Sequence, residues 1–125
     1  MQQTLQTSTL YSAWPQQVAH DLAIIKTAIQ EEDFIRLAQT AEANCLAMHA
    51  TMHAARPAIY YSLAETVTAM QKIWRLRAEG LAIYFTQDAG PNLKLLFQEK
   101  DKAQIAAEFP KVELIHPFQI SNVIN

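Results

Sequence analysis

Glycine is scarce in this chain: Gly80 and Gly90 are the only two among 125 residues, whereas about 7% is the average usage. A loop that cradles phosphates needs several glycines close together, so that backbone N–H groups can approach the anion. The sequence therefore excludes a P-loop and a Rossmann fingerprint. If the chain handles a nucleotide, most of the nucleotide site must lie elsewhere.

Cysteine is equally scarce, because Cys45 stands alone. A single thiol excludes an internal disulfide and fits a reducing compartment. The 10 basic and 12 acidic residues leave a net charge of −2, which gives no electrostatic reason to expect nucleic acid or a membrane surface as a partner. No apolar run approaches the roughly 20 residues that span a bilayer, and no signal-peptide pattern opens the chain. We therefore expect a cytoplasmic protein.

Half of the residues are apolar, so we expect 1–125 to form a single globular domain. Helical periodicity dominates the first two thirds. Ser12 is predicted to cap a first helix over roughly 13–30, whose apolar stripe consists of Val18, Leu22, Ile25 and Ile29. Asp33 is predicted to cap a second helix that runs to about Ala55.

A third helix is predicted to begin with the capping-box pattern of residues 62–65 (SLAE) and to end at Gly80, which suits the left-handed residue after a helix. The period then changes, and 81–86 and 93–97 have the character of short buried strands. The intervening 87–92 is too short for a parallel crossover, so the two strands are predicted to be antiparallel.

A short helix from Asp101 to about Phe109 follows, and then a last strand marked by alternating Val112, Leu114 and His116. The predicted fold class is α+β, a ferredoxin-like split β-α-β-β-α-β sandwich with extra helix in the first crossover and its first strand missing. The missing strand would leave a sheet edge open. We therefore expect the chain to be part of something longer, or to borrow a strand.

The loop between the two strands holds the first candidate for chemistry. Asp88 is the only acidic residue between Glu79 and Glu99, and it stands beside Gly90, which allows close backbone approach or a positive φ. A carboxylate fixed there in a partly buried place can accept a proton or position a hydroxyl. The alternative is an aspartate that only bonds its own loop backbone in an Asx turn.

Three segments together carry a resemblance. Residues 84–92 (YFTQDAGPN) are similar to a Y-F-T-M-D-A-G-P-N segment, and 42–51 (EANCLAMHAT) to an E-A-N-G-L-x-M-H-A-T helix. A G-M-x-x-T-x-x-T-S-x-x-Y-x-x-W stretch is matched by Met1, Thr4, Thr7, Ser8, Tyr11 and Trp14. All three are motifs of the diphosphomevalonate decarboxylases, which belong to the GHMP kinase superfamily. The D-A-G-P-N loop is the specific one.

The resemblance implies a fold and a reaction. The family pairs an N-terminal nucleotide-binding domain with a C-terminal ferredoxin-like domain, so this chain would be the C-terminal half of a two-domain enzyme. Members convert mevalonate 5-diphosphate to isopentenyl diphosphate, consuming ATP with Mg²⁺ and releasing CO₂, ADP and phosphate. They are commonly homodimers.

The resemblance also implies roles for particular residues. Asp88 falls on the family's catalytic aspartate, which orients or deprotonates the 3-hydroxyl that ATP then phosphorylates. Met1 falls on a methionine bordering the substrate pocket, and Ala89 and Gly90 adjoin Asp88 in the substrate-binding loop. The positions implied to support this loop are Pro91, Asn92 and His49.

Parts of the family's active site are absent from the sequence, namely the serine-rich P-x-x-S-G-L-x-S-S nucleotide loop and the serine and arginine that bind the substrate. The resemblance therefore implies that ATP and Mg²⁺ bind mostly to the missing N-terminal domain, and that this chain alone is inactive. Two alternatives stay open. One is a related enzyme acting on mevalonate or its monophosphate, and the other is a non-catalytic ferredoxin-like interaction module.

The chain departs from the family pattern at Gln87 (Met in the family), Cys45 (Gly) and Ala47 (usually Arg). Since Cys45 and Ala47 are remote from the loop in sequence, we expect them to affect packing or surface contacts rather than Asp88.

Two clusters are predicted not to be ligand sites. Cys45, His49 and His53 lie on one helix and cannot all bind one metal ion, since Cys45 and His53 are two turns, about 12 Å, apart along the helix axis. Arg75 and Arg77, with Lys72, lie near a helix C-terminus and are expected to be solvated charges rather than an anion site.

Overall fold

Helices predominate in the computed structural model, which describes residues 2–115. The helices are α1 (Gln2–Thr7), α2 (Trp14–Gln30), α3 (Phe34–His53), α4 (Ala64–Ala78) and α5 (Lys102–Glu108). The strands are β1 (Tyr84–Gln87) and β2 (Leu93–Leu96), and 3₁₀ turns at Tyr11–Ala13 and Glu99–Asp101 precede α2 and α5. Within the described residues, no helix is long and apolar enough to cross a bilayer. The α+β class is confirmed, whereas the short α1 was not predicted.

Local capping chemistry sets the start of α3 but not that of α2. Asp33 accepts a hydrogen bond from the Arg36 amide at 3.1 Å, which confirms it as the cap of α3. The prediction for Ser12 is wrong, because that residue lies within a 3₁₀ turn and Ala13 occupies the cap position without a side-chain bond. The preceding turn already continues into the helix, so no capping hydroxyl is needed there.

The start of α4 also differs from the capping box predicted at 62–65. The helix begins at Ala64, and the amide of Leu63 donates to the Thr66 hydroxyl at 3.1 Å. Ser62 instead accepts a hydrogen bond from the Gln87 side chain. The Ser62 hydroxyl, which the sequence pattern predicted as the helix cap, is therefore used in a tertiary contact instead.

The end of α4 confirms the role predicted for Gly80. Its φ is +106°, a conformation that L side chains rarely adopt. Its amide bonds to the Arg77 carbonyl, and the amide of Leu81 bonds to the Leu76 carbonyl, each at 3.0 Å. This pair of bonds is a Schellman motif, which satisfies the last carbonyls of the helix and turns the chain toward β1.

The two strands form an antiparallel pair, as predicted, with Tyr84 opposite Leu96 and Gln87 opposite Leu93. The predicted last strand is wrong over 112–115, which has no regular structure; His116 lies outside the described residues. On the face that was expected to be buried, Val112 is half-buried and Leu114 is 37% exposed. The described sheet therefore has two strands, and the full split sandwich is not reproduced in it.

The core lies between the sheet, α3, α4 and α5. Its buried members are Cys45, Met70, Ile73, Leu76, Leu81, Ile83, Phe85 and Ile105. An ion pair crosses this core: Arg77 donates to both carboxylate oxygens of Glu42, at 2.6 and 3.0 Å. Glu42 also accepts from the Phe85 amide at 3.1 Å. One buried carboxylate thus joins α3, α4 and β1, and the expectation that Arg77 is a solvated charge is wrong.

Helix α2 packs on α3 with a face that its apolar pattern indicated only in part, because Val18 and Ile25 of the predicted stripe are half-buried. Within the predicted stripe, Leu22 and Ile29 are 47% and 60% exposed. The buried residues of the helix are Asp21 and Ala28. Asp21 accepts hydrogen bonds from Gln17 at 2.9 Å and from Asn44 of α3 at 3.0 Å. A satisfied polar contact therefore orients α2, because small and hydrogen-bonded side chains allow close approach to α3.

Candidate functional site

The loop at 88–92 is anchored at its first strand by Gln87. The Gln87 amide donates to Cys45 Sγ at 3.1 Å, and its carbonyl accepts from His49 Nε2 at 3.0 Å. Its side-chain Nε2 donates to Ser62 Oγ at 3.1 Å and to the Gly90 carbonyl at 2.8 Å. Gln87 is 2% exposed. The loop therefore begins at a buried residue that is bonded to α3 and to the segment before α4.

The far end of the loop is tied to α4. Thr66 Oγ1 donates to the Pro91 carbonyl at 2.7 Å while accepting from the Leu63 amide. Thr66 is buried and lies in the first turn of α4. The loop is thus held from both ends, and its tip is left free to meet a ligand.

Asp88 is the first residue of this loop, directly after Gln87, and its carboxylate is exposed rather than partly buried as predicted. Its side chain is 79% exposed, and Oδ2 lies 2.7 Å from Lys94 Nζ on β2. The hydrogen bond and charge of Lys94 lower the pKa of the Asp88 carboxyl, while some desolvation opposes them. The described bonds do not form the Asx turn of the alternative interpretation, because the Gly90 amide bonds to the backbone carbonyl of Asp88 instead.

The remaining loop residues surround Asp88 without filling the space beside it. Ala89 and Asn92 are exposed. A Cβ added at Gly90 would meet nothing within 4 Å, and its φ is outside the left-handed range. The positive φ predicted as one reason for Gly90 is therefore not used, and the space beside Gly90 is open among the described residues. Met1 lies outside the described residues.

His49 lies behind the loop. It is 3% exposed, and Nε2 must carry the proton because it faces the Gln87 carbonyl at 3.0 Å. Its ring meets Tyr61 edge-on with centroids 6.2 Å apart. Its contact is thus with the backbone beneath Asp88.

Cys45 is a buried core residue that contacts Gln87, the residue before the loop, although the two are far apart in sequence. Its thiol accepts from the Gln87 amide and lies 3.7 Å from the Gln87 carbonyl. Burial raises the pKa of the Cys45 thiol, with further raising by the charges of Glu42 and Asp88, against lowering by the bond to Gln87. The neutral thiol therefore packs directly beneath the candidate site.

Other charged groups are used structurally. Among residues 2–115, no three His, Cys, Asp or Glu side chains come together as a metal site would require. Lys72 contacts the backbone carbonyl and the carboxylate of Glu108, so Lys72 and Arg77 both have intramolecular partners. The sequence did not predict that Gln87, Ser62 and Thr66 support the loop. The one available signal was at Gln87, a polar residue that ends a mainly apolar strand.

Comparison with known proteins decides the family. The model of the mevalonate 5-diphosphate decarboxylase C-terminal domain matches residues 1–120. The chain belongs to this family. The match includes all three motif segments, and the resemblance drawn from them is confirmed.

Individual relatives of this decarboxylase domain agree. Diphosphomevalonate decarboxylase mvd1 of Aspergillus fumigatus is 33% identical over 109 residues, which are 85% of this chain and 27% of the relative. The mevalonate pyrophosphate decarboxylase structure from Streptococcus pyogenes is 42% identical, with a TM-score of 0.83 over 90% of this chain and 35% of that one. A relative solved with MVAPP, AMPPCP and magnesium is 38% identical, with a TM-score of 0.80 over 87% of this chain and 35% of that one. The chain thus spans about a third of its relatives' length.

Proposed function

We propose that this chain is the C-terminal part of a two-domain diphosphomevalonate decarboxylase, and that Asp88 is its catalytic base. We call this two-domain protein the complete enzyme. It converts mevalonate 5-diphosphate to isopentenyl diphosphate, CO₂, ADP and phosphate. The observation that carries the proposal is an exposed carboxylate, paired with Lys94, on a loop held from both ends. Family membership supports the choice of reaction.

The chemistry assigned to Asp88 needs an accessible, charged carboxylate. It accepts a hydrogen bond from the 3-hydroxyl of the substrate and takes its proton as that oxygen becomes a nucleophile. Loss of CO₂ later leaves C3 electron-deficient, and a fixed negative charge nearby stabilises that state. Lys94 lowers the pKa of the Asp88 carboxyl and so extends its ionised range to lower pH.

The surrounding residues are assigned supporting roles. His49, through the Gln87 carbonyl, and Pro91, through the bond to Thr66, hold the loop in place. Ala89 and Gly90 present an open surface on which substrate can approach the backbone. Asn92 continues the loop into β2.

Neither a Mg²⁺ site nor a glycine-rich loop for the phosphates of ATP is found among residues 2–115, where Gly80 and Gly90 are the two glycines. The described part contains no cluster of metal-binding side chains, and the Asp88 carboxylate is paired with Lys94. We therefore assign both to the missing N-terminal domain, and we assign to that same domain the strand that completes a ferredoxin-like sandwich. A relative obtained with MVAPP, AMPPCP and magnesium supports this choice of ligands.

The test is Asp88→Asn in the complete enzyme. The amide keeps the size of the side chain but cannot take the proton, so we expect turnover to be lost while folding and ATP affinity stay unchanged. Asp33→Asn is the matched control, because asparagine caps a helix as well as aspartate. Normal turnover by Asp88→Asn would overturn the assignment of the base. Assays with mevalonate and its monophosphate beside the diphosphate test the specificity.

The native size tests the domain proposal separately. An antibody against this chain is expected to detect a polypeptide far larger than 14.1 kDa in the source cells. A native polypeptide of 14.1 kDa would contradict a single two-domain chain.

A further inference from the structure

A buried side-chain amide lies directly beneath the Asp88 loop. It belongs to Gln87, the last residue of β1, which is 2% exposed. We propose that Gln87 is a positioning residue that fixes Asp88 where the substrate hydroxyl must lie. This inference rests on the proposed function of Asp88.

The bonds of Gln87 enclose the segment that contains Asp88. Its Nε2 reaches forward to the Gly90 carbonyl at 2.8 Å, closing a small ring of chain around residues 88 and 89. The same nitrogen bonds to Ser62 Oγ at 3.1 Å, in the segment that leads into α4. Both N–H groups of the amide thus have an acceptor, one within the loop and one outside it.

The backbone of Gln87 fixes the other side of this ring. Its amide and carbonyl are bonded to Cys45 and His49, two buried residues one turn apart on α3. The ring around Asp88 is therefore fixed to α3 through the backbone of Gln87 and to the segment before α4 through its side chain. A shift of the loop would break bonds to both, which is why the backbone of Asp88 stays in place although its own side chain is exposed.

The size and the hydrogen bonds of Gln87 can be separated experimentally. Methionine fills nearly the same volume without a donor, so Gln87→Met keeps the packing while freeing the Gly90 carbonyl and the Ser62 hydroxyl. Methionine is the family's residue at this position, so Gln87→Met should fold, but in this chain it leaves the Gly90 carbonyl and the Ser62 hydroxyl without their donor. In the complete enzyme we therefore expect kcat for mevalonate 5-diphosphate to fall by up to about a hundredfold, the effect of a displacement of about 1 Å. We expect KM for ATP to stay unchanged, as ATP is assigned to the other domain.

Two further variants complete the experiment. Gln71→Met makes the same change at an exposed position of α4 and is expected to leave kcat unchanged. Ser62→Ala removes one of the two acceptors of Gln87 and is expected to lower kcat less than Gln87→Met does. Since both changes break the same bond, the double variant is expected to lose less than the product of the two single effects. Ser62→Ala also tests the proposal if Gln87→Met fails to fold.

The outcomes separate this inference from the proposed function. Turnover by Asp88→Asn would overturn the proposed function itself. If Asp88→Asn is inactive while Gln87→Met and Ser62→Ala have normal kcat, Asp88 keeps its role and the positioning role of Gln87 is overturned. A lower unfolding temperature of Gln87→Met with normal kcat would mean that Gln87 acts only in stability, and it too would overturn the proposal.

Discussion

The Cys45 thiol accepts a hydrogen bond from the Gln87 amide at 3.1 Å, although 42 residues separate the two in sequence. The bond joins the middle of α3 to the last residue before Asp88. Burial raises the pKa of Cys45, which keeps the proton on the sulfur at neutral pH, so the thiol can also donate to the Gln87 carbonyl 3.7 Å away. Two departures from the family pattern are therefore in direct contact, and both lie under the loop.

Removing the charge of Glu42 is expected to destabilise the complete enzyme. Glu42→Gln leaves Arg77 without its bidentate partner in a place where Glu42 itself is only 7% exposed. Breaking one side of a buried pair costs about 3 kcal/mol in the free energy of unfolding. Urea denaturation followed by circular dichroism measures the change.

Glu31→Gln is the matched control for this prediction. Its partner Arg36 lies 3.8 Å away, and both side chains are about half exposed. Exposed pairs of this kind contribute at most about 1 kcal/mol. Equal losses in the free energy of unfolding would mean that burial does not strengthen the Glu42–Arg77 pair.

The two glycines of the chain are expected to respond oppositely to alanine. Gly80 has a φ of +106°, so Gly80→Ala is expected to lower the free energy of unfolding by roughly 1–2 kcal/mol without changing kcat. Gly90 has open space beside it and no left-handed φ. Gly90→Ala is therefore expected to keep its stability but to lower kcat/KM for mevalonate 5-diphosphate, because the new methyl group stands where substrate approaches. Normal kinetics in Gly90→Ala would exclude that close approach.

Local chemistry made part of the fold predictable. The Asp33 cap, the left-handed Gly80 and the antiparallel pairing of β1 with β2 each depend on a few neighbouring residues. The orientation of α2 was not predictable in this way. Its exposed Leu22 belongs to a regular apolar stripe, yet the buried hydrogen bonds of Asp21 decide which face meets α3.

The same distinction between neighbouring and distant residues applies to the candidate site. A motif of adjacent residues was enough to single out Asp88, because the loop is continuous in sequence. Its supports come from distant segments: Ser62 precedes α4, Thr66 is in its first turn, and Cys45 lies on α3. Periodicity describes one element at a time, so contacts between elements could be found only once the elements were packed.

Removing the charge of Lys94 is expected to shift the pH dependence of the complete enzyme. Lys94 lowers the pKa of Asp88 through a 2.7 Å contact between exposed side chains. In Lys94→Met that pKa rises toward its ordinary value, so Asp88 is protonated at a higher pH as the solution is acidified. The acidic limb of the kcat/KM profile, which reports the base of the free enzyme, should then move to higher pH.

Two comparisons complete the test of Lys94. Lys100→Met removes an exposed lysine that does not contact Asp88 and is expected to leave the acidic limb in place. High salt screens the exposed Lys94–Asp88 pair, so it should shift the acidic limb of the unmodified enzyme to higher pH. The limb of Lys94→Met should shift much less. If all profiles coincide, either Asp88 does not set the acidic limb or Lys94 does not act on it. Asp88→Glu distinguishes these, because a residual activity whose limb has shifted would identify the carboxylate as the titrating group.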